Sequence, residues 1–268
     1  MPAHKQALEP QAGPPPQSDA QLAHAPSPVA LALSDVSVVY RGRQEVEAVR
    51  GLSLAVHSGE RVAVVGPSGC GKSTLLALAA GLLEPTSGTV DVSEAVALMP
   101  QRDLLVPWRS ALANAAFALE AQGVPAREAR AKAAPLFERF GLQSFERSRS
   151  WELSGGMRQR VAFLRTMLTG RPLLALDEPF GALDSITRGQ MQEWLEDALA
   201  EEPRTLLLVT HDVDEALTLA DRVIVMTGRP GAVSGELTIG RPRSVRRSEW
   251  VTSSDFAAHK ARVLEVLA

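Results

Sequence analysis

The stretch RVAVVGPSGCGKSTLLALAAG, residues 61 to 81, restricts the possible folds of this chain more than any other. An apolar β-like run ends at Val65. Gly66, Gly71, Lys72 and Ser73 then follow in the spacing G-x-x-x-x-G-K-[ST], and a helical pattern runs over 72–81. Strand, glycine-rich turn and helix in that register make a phosphate cradle: the glycines let the backbone wrap an anion, and successive N–H groups with the helix N-terminus face it. Lys72 supplies mobile positive charge, the Ser73 hydroxyl can ligate Mg²⁺, and Pro67, Ser68, Gly69, Cys70 and Thr74 complete the loop and the first turn. The alternative is a turn that binds nothing; the register of all three parts argues against it.

A cradle of this kind needs an α/β framework, and the remaining pattern supplies one. β-like runs occupy 29–39, 52–56, 61–65, 89–92, 95–99, 172–177, 204–210, 222–227 and 232–239, with helical patterns at 72–81 and 186–201. Strands alternating with helices predict an α/β core, and the crowding of strands at the start predicts a β-rich entrance. Residues 110–170 read as almost wholly helical, an insertion into that core, and the last residues, SSDFAAHKARVLEVLA, as one amphipathic helix. Residues 1–28, rich in Pro, Gln and Ala, read as a disordered tail without the basic start and apolar centre of a signal peptide. The basic stretch RPRSVRRSEW after Gly240 reads as a solvated surface segment.

Composition narrows the function classes. With 45% hydrophobic and 22% charged residues the chain can bury a large core, and its formal net charge of -3 with dispersed Lys and Arg makes no case for a nucleic-acid partner. The longest apolar run, Leu75 to Leu83, is less than half the roughly 20 residues that span a bilayer, so a soluble chain is expected. Cys70 is the sole cysteine, which excludes an intramolecular disulfide and suits a reducing cytoplasm.

Two further clusters sit where strands end. In RPLLALDEPFGALD, Asp177 can hold a Mg²⁺ shell while Glu178 orients or deprotonates a water. Neighbouring side chains on a strand point opposite ways, so the two carboxylates need different jobs unless the strand stops there. In TLLLVTHDVDEA, His211 ends another run, where the carboxyl edge of a parallel sheet gathers functional groups. Taken singly, an acidic turn and a terminal histidine are ordinary; the phosphate loop gives them weight.

These residues together resemble the ATP-binding subunit of an ABC transporter. GPSGCGKST, Gln101, LSGGMRQR, LALDEP, GALD and THD occur in that family's order over about residues 29 to 240. The resemblance implies a P-loop NTPase (RecA-like) core, an N-terminal antiparallel β subdomain, a helical subdomain at about 102–170 carrying the signature, and a C-terminal extension over 241–268 with a terminal helix. It further implies a head-to-tail pair of ATPase subunits, identical or not, enclosing two ATP with Mg²⁺. In that arrangement Tyr40 stacks on adenine, Lys72 holds the β and γ phosphates, and Ser73, Gln101 and Asp177 serve Mg²⁺. Glu178 is the base, His211 senses the γ-phosphate, and Asp184 communicates across the pair.

Some assignments keep alternatives. Tyr40, the only tyrosine, either stacks or belongs to the core or rim. Cys70 either fills space or is activated by the helix N-terminus, in which case a maleimide inactivates the protein and ATP protects it. The segment MPQRDLLVPWRSALANAAFALE resembles importer subunits for nitrate, sulfonates and taurine, which implies an integral-membrane permease as partner, a solute-binding protein acting indirectly, and a place on the cytoplasmic face of the membrane. Leu105 and Trp108 then either line the permease groove or belong to the helical core. ABC ATPases of DNA repair and chromosome organisation need a coiled-coil insertion for which this chain has no room; a nucleotide-dependent regulatory module is the other reading.

The signature itself, WELSGGMRQRVAF, is odd as a helix start. Gly155 and Gly156 stand in its first turn, where each glycine costs about 1 kcal/mol relative to alanine. Ser154 can cap the helix, but Met157 stands where a capping box needs Glu or Gln. The resemblance assigns Ser154, Gly155 and Gly156 to the γ-phosphate of an ATP held by the other subunit, which makes the stretch half of a site completed by another chain.

Overall fold

The computed structural model describes residues 27–242 and 245–267. The tail expected over 1–28 therefore lies almost wholly outside the described residues. In chain order the elements are β1 (Val29–Tyr40), β2 (Val46–His57), β3 (Arg61–Val65), α1 (Lys72–Ala79), β4 (Ser87–Val92) and β5 (Val96–Met99). Next come α2 (Ala111–Ala115), α3 (Phe117–Ala121), α4 (Ala126–Arg139), α5 (Gly155–Met167), β6 (Leu173–Asp177) and α6 (Ser185–Glu201). The chain continues through β7 (Thr205–Thr210), α7 (Val213–Leu219), β8 (Arg222–Met226), β9 (Val233–Thr238), α8 (Arg247–Trp250) and α9 (Ser254–Leu267).

Six strands form the central sheet in the order β5-β6-β7-β3-β8-β9, parallel except for β9. A three-stranded antiparallel sheet, β2-β1-β4, packs at the entrance. The fold is the α/β P-loop architecture that the sequence implies. Its central strands are continuous apolar runs because both faces are covered. Ala63, Val65, Leu174, Leu176, Leu206 and Leu208 face one core, shared with α2, α4, α5 and α7. The alternating Val62, Val64, Leu173, Ala175, Leu207 and Val209 face a second core, shared with α1 and the antiparallel sheet. Side-chain alternation with period two divides each strand between the two cores.

Residues 110–170 depart from the wholly helical expectation. α4 closes at Gly141, whose φ of +59° suits a residue without Cβ, and Leu142 N–H donates back to Phe137 O at 2.8 Å. The chain from 141 to 149 is then non-helical, since its carbonyls serve α2: Ala111 N–H donates to Ser148 O (2.8 Å) and Leu112 N–H to Glu146 O (3.1 Å). Local helical composition is overridden by the need to satisfy the start of a neighbouring helix.

The segment after Gly240 is also corrected. Arg241 is paired with Glu196 (2.5 Å) and donates to Thr218 O (2.6 Å), Arg247 reaches Gln192 at 3.1 Å, and Trp250 is 4% exposed with its indole N–H on Leu217 O. Its described part docks on α6 and α7 through one charge pair, arginine hydrogen bonds and one buried aromatic. No helix among the described residues is long and apolar enough to cross a membrane.

Candidate active site

β3 lies between β7 and β8, and its carboxyl end opens into the phosphate loop. Gly71 caps α1 at φ +98°, and a Cβ there would stand 2.7 Å from Val49 Cγ2 and 2.8 Å from Ala48 O, so both conformation and the neighbouring β2 demand glycine. Lys72, 7% exposed, folds back beneath the loop, its ammonium donating to Gly66 O at 2.7 Å and Pro67 O at 3.0 Å. Ser68, Gly69, Ser73 and Thr74 line a cleft of about 220 Å³ with Tyr40, Lys72, Gln101, Asp177, Glu178 and Arg229. A larger cavity of about 690 Å³ lies between α6, α7 and the C-terminal segment. The smaller cleft is the one where the chemistry converges.

Tyr40 ends β1 at the mouth of this cleft, 44% exposed, its hydroxyl 3.1 Å from Thr74 Oγ1. It is an exposed residue on the rim of the cleft. Cys70 is fully buried in the core beneath the loop, so it fills space; the expectation of maleimide attack has no geometric basis in this conformation.

The three motif-bearing strands are neighbours. In register, Val65 of β3 pairs with Thr210 of β7, and Val209 pairs with Asp177 of β6, so Asp177, Glu178 and His211 emerge beside the loop. Asp177 is 6% exposed, and burial pushes its carboxyl above the usual range, opposed by a hydrogen bond with Ser73; the adjacent Glu178 raises it further, and Lys72 opposes. A buried carboxylate beside a serine hydroxyl and an open cleft is a donor set that suits a hard cation. Among the described residues no group of three or more His, Cys, Asp or Glu could hold a metal, so such a cation would need hydroxyl, amide and phosphate oxygens as well.

Glu178 adopts φ +47°, a left-handed conformation that a non-glycine residue holds only when its surroundings enforce it. Its N–H donates to Val209 O at 2.8 Å, and its carbonyl accepts from Gly181 N–H at 3.2 Å and from Gln159 Nε2 at 2.8 Å. The strand ends at Asp177, so the strict alternation of a strand no longer separates the two carboxylates, and both line the same cleft. One Glu178 carboxylate oxygen accepts from Gln101 Nε2 at 3.1 Å, and the other lies 3.1 Å from His211 Nδ1.

Ser154, Gly155 and Gly156 do not line this cleft. Ser154 Oγ accepts from Met157 N–H at 3.2 Å and caps α5. A Cβ on Gly156 would approach Leu183 Cδ2 to 3.1 Å and Ala182 O to 3.3 Å, so a side chain there would be tight and its neighbours would have to give way by a few tenths of an ångström. Gly155 is different: it is exposed, and a Cβ would meet nothing nearer than the end of Arg158 at 3.8 Å. Asp184 caps α6, accepting from Ile186 N–H (3.1 Å) and Thr187 N–H (3.0 Å), and the Thr187 hydrogen bonds hold its carboxyl below the usual range.

After Gln101 the chain separates the two apolar candidates. Leu105 is buried at 8% exposure, whereas Trp108 is 75% exposed, with Leu104 beside them at 57%. Sequence reasoning missed Arg229, which reaches Gly69 O from the β8–β9 turn, and Gln159, which meets Glu178 across the fold. Neither carries a local signal, because each acts on a residue far away in the chain.

Residues 49–181 match the family model described as ABC transporter. The formylaminopyrimidine import ATP-binding protein ThiZ of Halalkalibacterium halodurans is 44% identical over 219 residues, covering 81% of this chain and 86% of that protein. The aliphatic sulfonates import ATP-binding protein SsuB 1 of Rhodococcus jostii is 42% identical over 243 residues, covering 88% and 94%. The taurine import ATP-binding protein TauB of Yersinia pestis is 39% identical over 213 residues, covering 76% and 84%. Among solved structures, the dimeric post-hydrolysis state of the ATP-binding cassette MJ0796 bound to ADP and Pi superposes with a TM-score of 0.73 at 28% identity, covering 79% of this chain and all of that one.

Proposed function

The chain belongs to the ABC transporter family, and from that premise we propose that it is the ATP-hydrolysing subunit of an importer for a small solute. The observation that carries this reading is the convergence of phosphate loop, Asp177, Glu178, His211 and Gln101 at adjacent strand ends. The relatives named as import ATP-binding proteins support the direction of transport.

ATP would lie with its phosphates on the loop and its adenine against the exposed Tyr40. Lys72 would exchange its bonds to Gly66 O and Pro67 O for phosphate oxygens. Ser73, Asp177 and Gln101 would hold Mg²⁺, which when bound neutralises phosphate charge. Glu178, at the strand terminus, accepts the proton of the attacking water, and His211, 3.1 Å from Glu178, orients the same water against the γ-phosphate. Positioning and charge neutralisation dominate such phosphoryl transfer, which is why so many side chains meet in so small a cleft.

Ser154, Gly155 and Gly156 complete the site of a second subunit in a head-to-tail pair, with Asp184 at the junction. The exposed, unpacked Gly155 supports this, since its lack of a side chain has no packing reason within its own chain. So does the dimeric state of the similar ADP-bound cassette. Closure of the pair drives an integral-membrane permease from the cytoplasmic face. Trp108 and Leu104, exposed after Gln101, offer the apolar contact. A solute-binding protein acts through the permease alone.

Replacing Glu178 by Gln tests the reading. Mg-ATP turnover of the purified chain should fall about 10²-fold or more, the usual worth of a general base, while nucleotide affinity is kept. Near-normal turnover would remove Glu178 from this role.

A further inference from the structure

We propose that Gln159 is a positioning residue that holds the backbone of Glu178 and ties the alignment of the base to the position of α5. Gln159 is 7% exposed, and its amide makes two reciprocal bonds to one loop: Nε2 donates to Glu178 O at 2.8 Å, and Oε1 accepts from Ala182 N–H at 2.8 Å. A buried amide with donor and acceptor both used fixes a geometry that a hydrophobic residue of the same size cannot. The carbonyl it grips belongs to the residue at φ +47°, so one of the bonds that enforce the left-handed turn comes from α5. The same helix holds the segment that follows Gln101. Arg158 Nε donates to Asp103 Oδ2 at 3.0 Å, and Arg165 donates to Asp103 O at 2.7 Å and Leu104 O at 2.9 Å. α5 thus joins the exposed 103–104 segment to the backbone of Glu178, and a displacement of that segment reaches the carboxylate through Gln159.

The inference rests on Glu178 being the base, and the test separates the two. Gln159→Glu keeps the acceptor for Ala182 N–H and places an oxygen against Glu178 O; Gln159→Leu removes both bonds. Each is compared with the native chain and with Glu178→Gln for kcat, KM, nucleotide affinity and Tm, and each is also combined with Glu178→Gln. Both Gln159 variants should lower kcat at least tenfold with KM and affinity within threefold, and neither should lower the residual turnover of Glu178→Gln further. Should Gln159→Leu fail to fold, Gln159→Glu decides. Retention of kcat within twofold, where Glu178→Gln lowers turnover about 10²-fold or more, overturns the role of Gln159 and leaves the base in place. A parallel loss of affinity and Tm, or a further tenfold loss on top of Glu178→Gln, likewise overturns it. Near-native turnover of Glu178→Gln overturns both.

Discussion

Gly156 concentrates two demands at one residue. Its own chain presses Leu183 and Ala182 to within 3.1 and 3.3 Å of where a Cβ would be, and the proposed dimer needs the helix N-terminus bare for a phosphate. Gly156→Asp would crowd the loop before Asp184, an overpacking cost of about 1–3 kcal/mol, and set a carboxylate where the γ-phosphate should lie. The loop proposed to bind nucleotide is elsewhere in the chain, so nucleotide affinity should stay within about threefold while turnover falls about 10²-fold, the scale of a lost transition-state contact. Titration with a fluorescent ATP analogue alongside a phosphate-release assay checks both halves. Loss of binding would mean that the substitution damages the fold instead.

At the scale of elements, α7 carries a built-in pH dependence. Asp212 caps it, accepting from Asp214 N–H at 2.9 Å and Glu215 N–H at 3.2 Å, which turns Glu215 inward to 3% exposure. Burial pushes the Glu215 carboxyl up to about 8; the Thr210 hydrogen bond and Arg188 oppose this, and Asp212 and Glu178 add to it. The folded state therefore keeps a proton that the unfolded chain releases near its ordinary pKa of 4.5. The contribution to stability is complete below that ordinary value and is lost as pH rises through the folded value. Glu215→Gln has no proton to lose, so its Tm relative to the native chain should rise between pH 5 and about 8 and level off above, by about 2–4 °C for each kcal/mol recovered. Differential scanning calorimetry across that range would read it; a pH-independent difference would contradict it.

The elements also differ in how plainly the sequence announced them. β3, β6, β7 and β8 were legible as apolar runs because both of their faces are buried. Residues 141–149 were not, since their helical composition is overruled by hydrogen bonds to α2. The basic residues after Gly240 looked solvated because charge alone does not disclose partners. Arg241 found Glu196 on α6, distant in sequence.

For the whole molecule, the proposed head-to-tail pair would make each chain carry two half-sites, a reading that the exposed Gly155 and a phosphate cleft not lined by Ser154 to Gly156 support. Slowing hydrolysis should trap the closed pair. Glu178→Gln with Mg-ATP is expected to elute from size exclusion at twice the monomer mass, and to return to monomer with Mg-ADP. Adding Gly156→Asp should keep it monomeric in ATP. A monomer under all these conditions would count against head-to-tail closure of the isolated chain.

The sequence by itself determined the phosphate loop, the order of the motifs and the α/β class, because a strand–glycine–helix register and apolar periodicity are local properties of the chain. Which motifs share a cleft was decided by the sheet order β6-β7-β3, a matter of non-local pairing. That order aligns Val65 with Thr210 and Val209 with Asp177 and so gathers groups from three distant segments. The left-handed turn of Glu178 and its grip by Gln159 belong wholly to the tertiary structure. A buried hydrogen bond depends on where two backbones meet, and nothing in the neighbouring residues of either one specifies that.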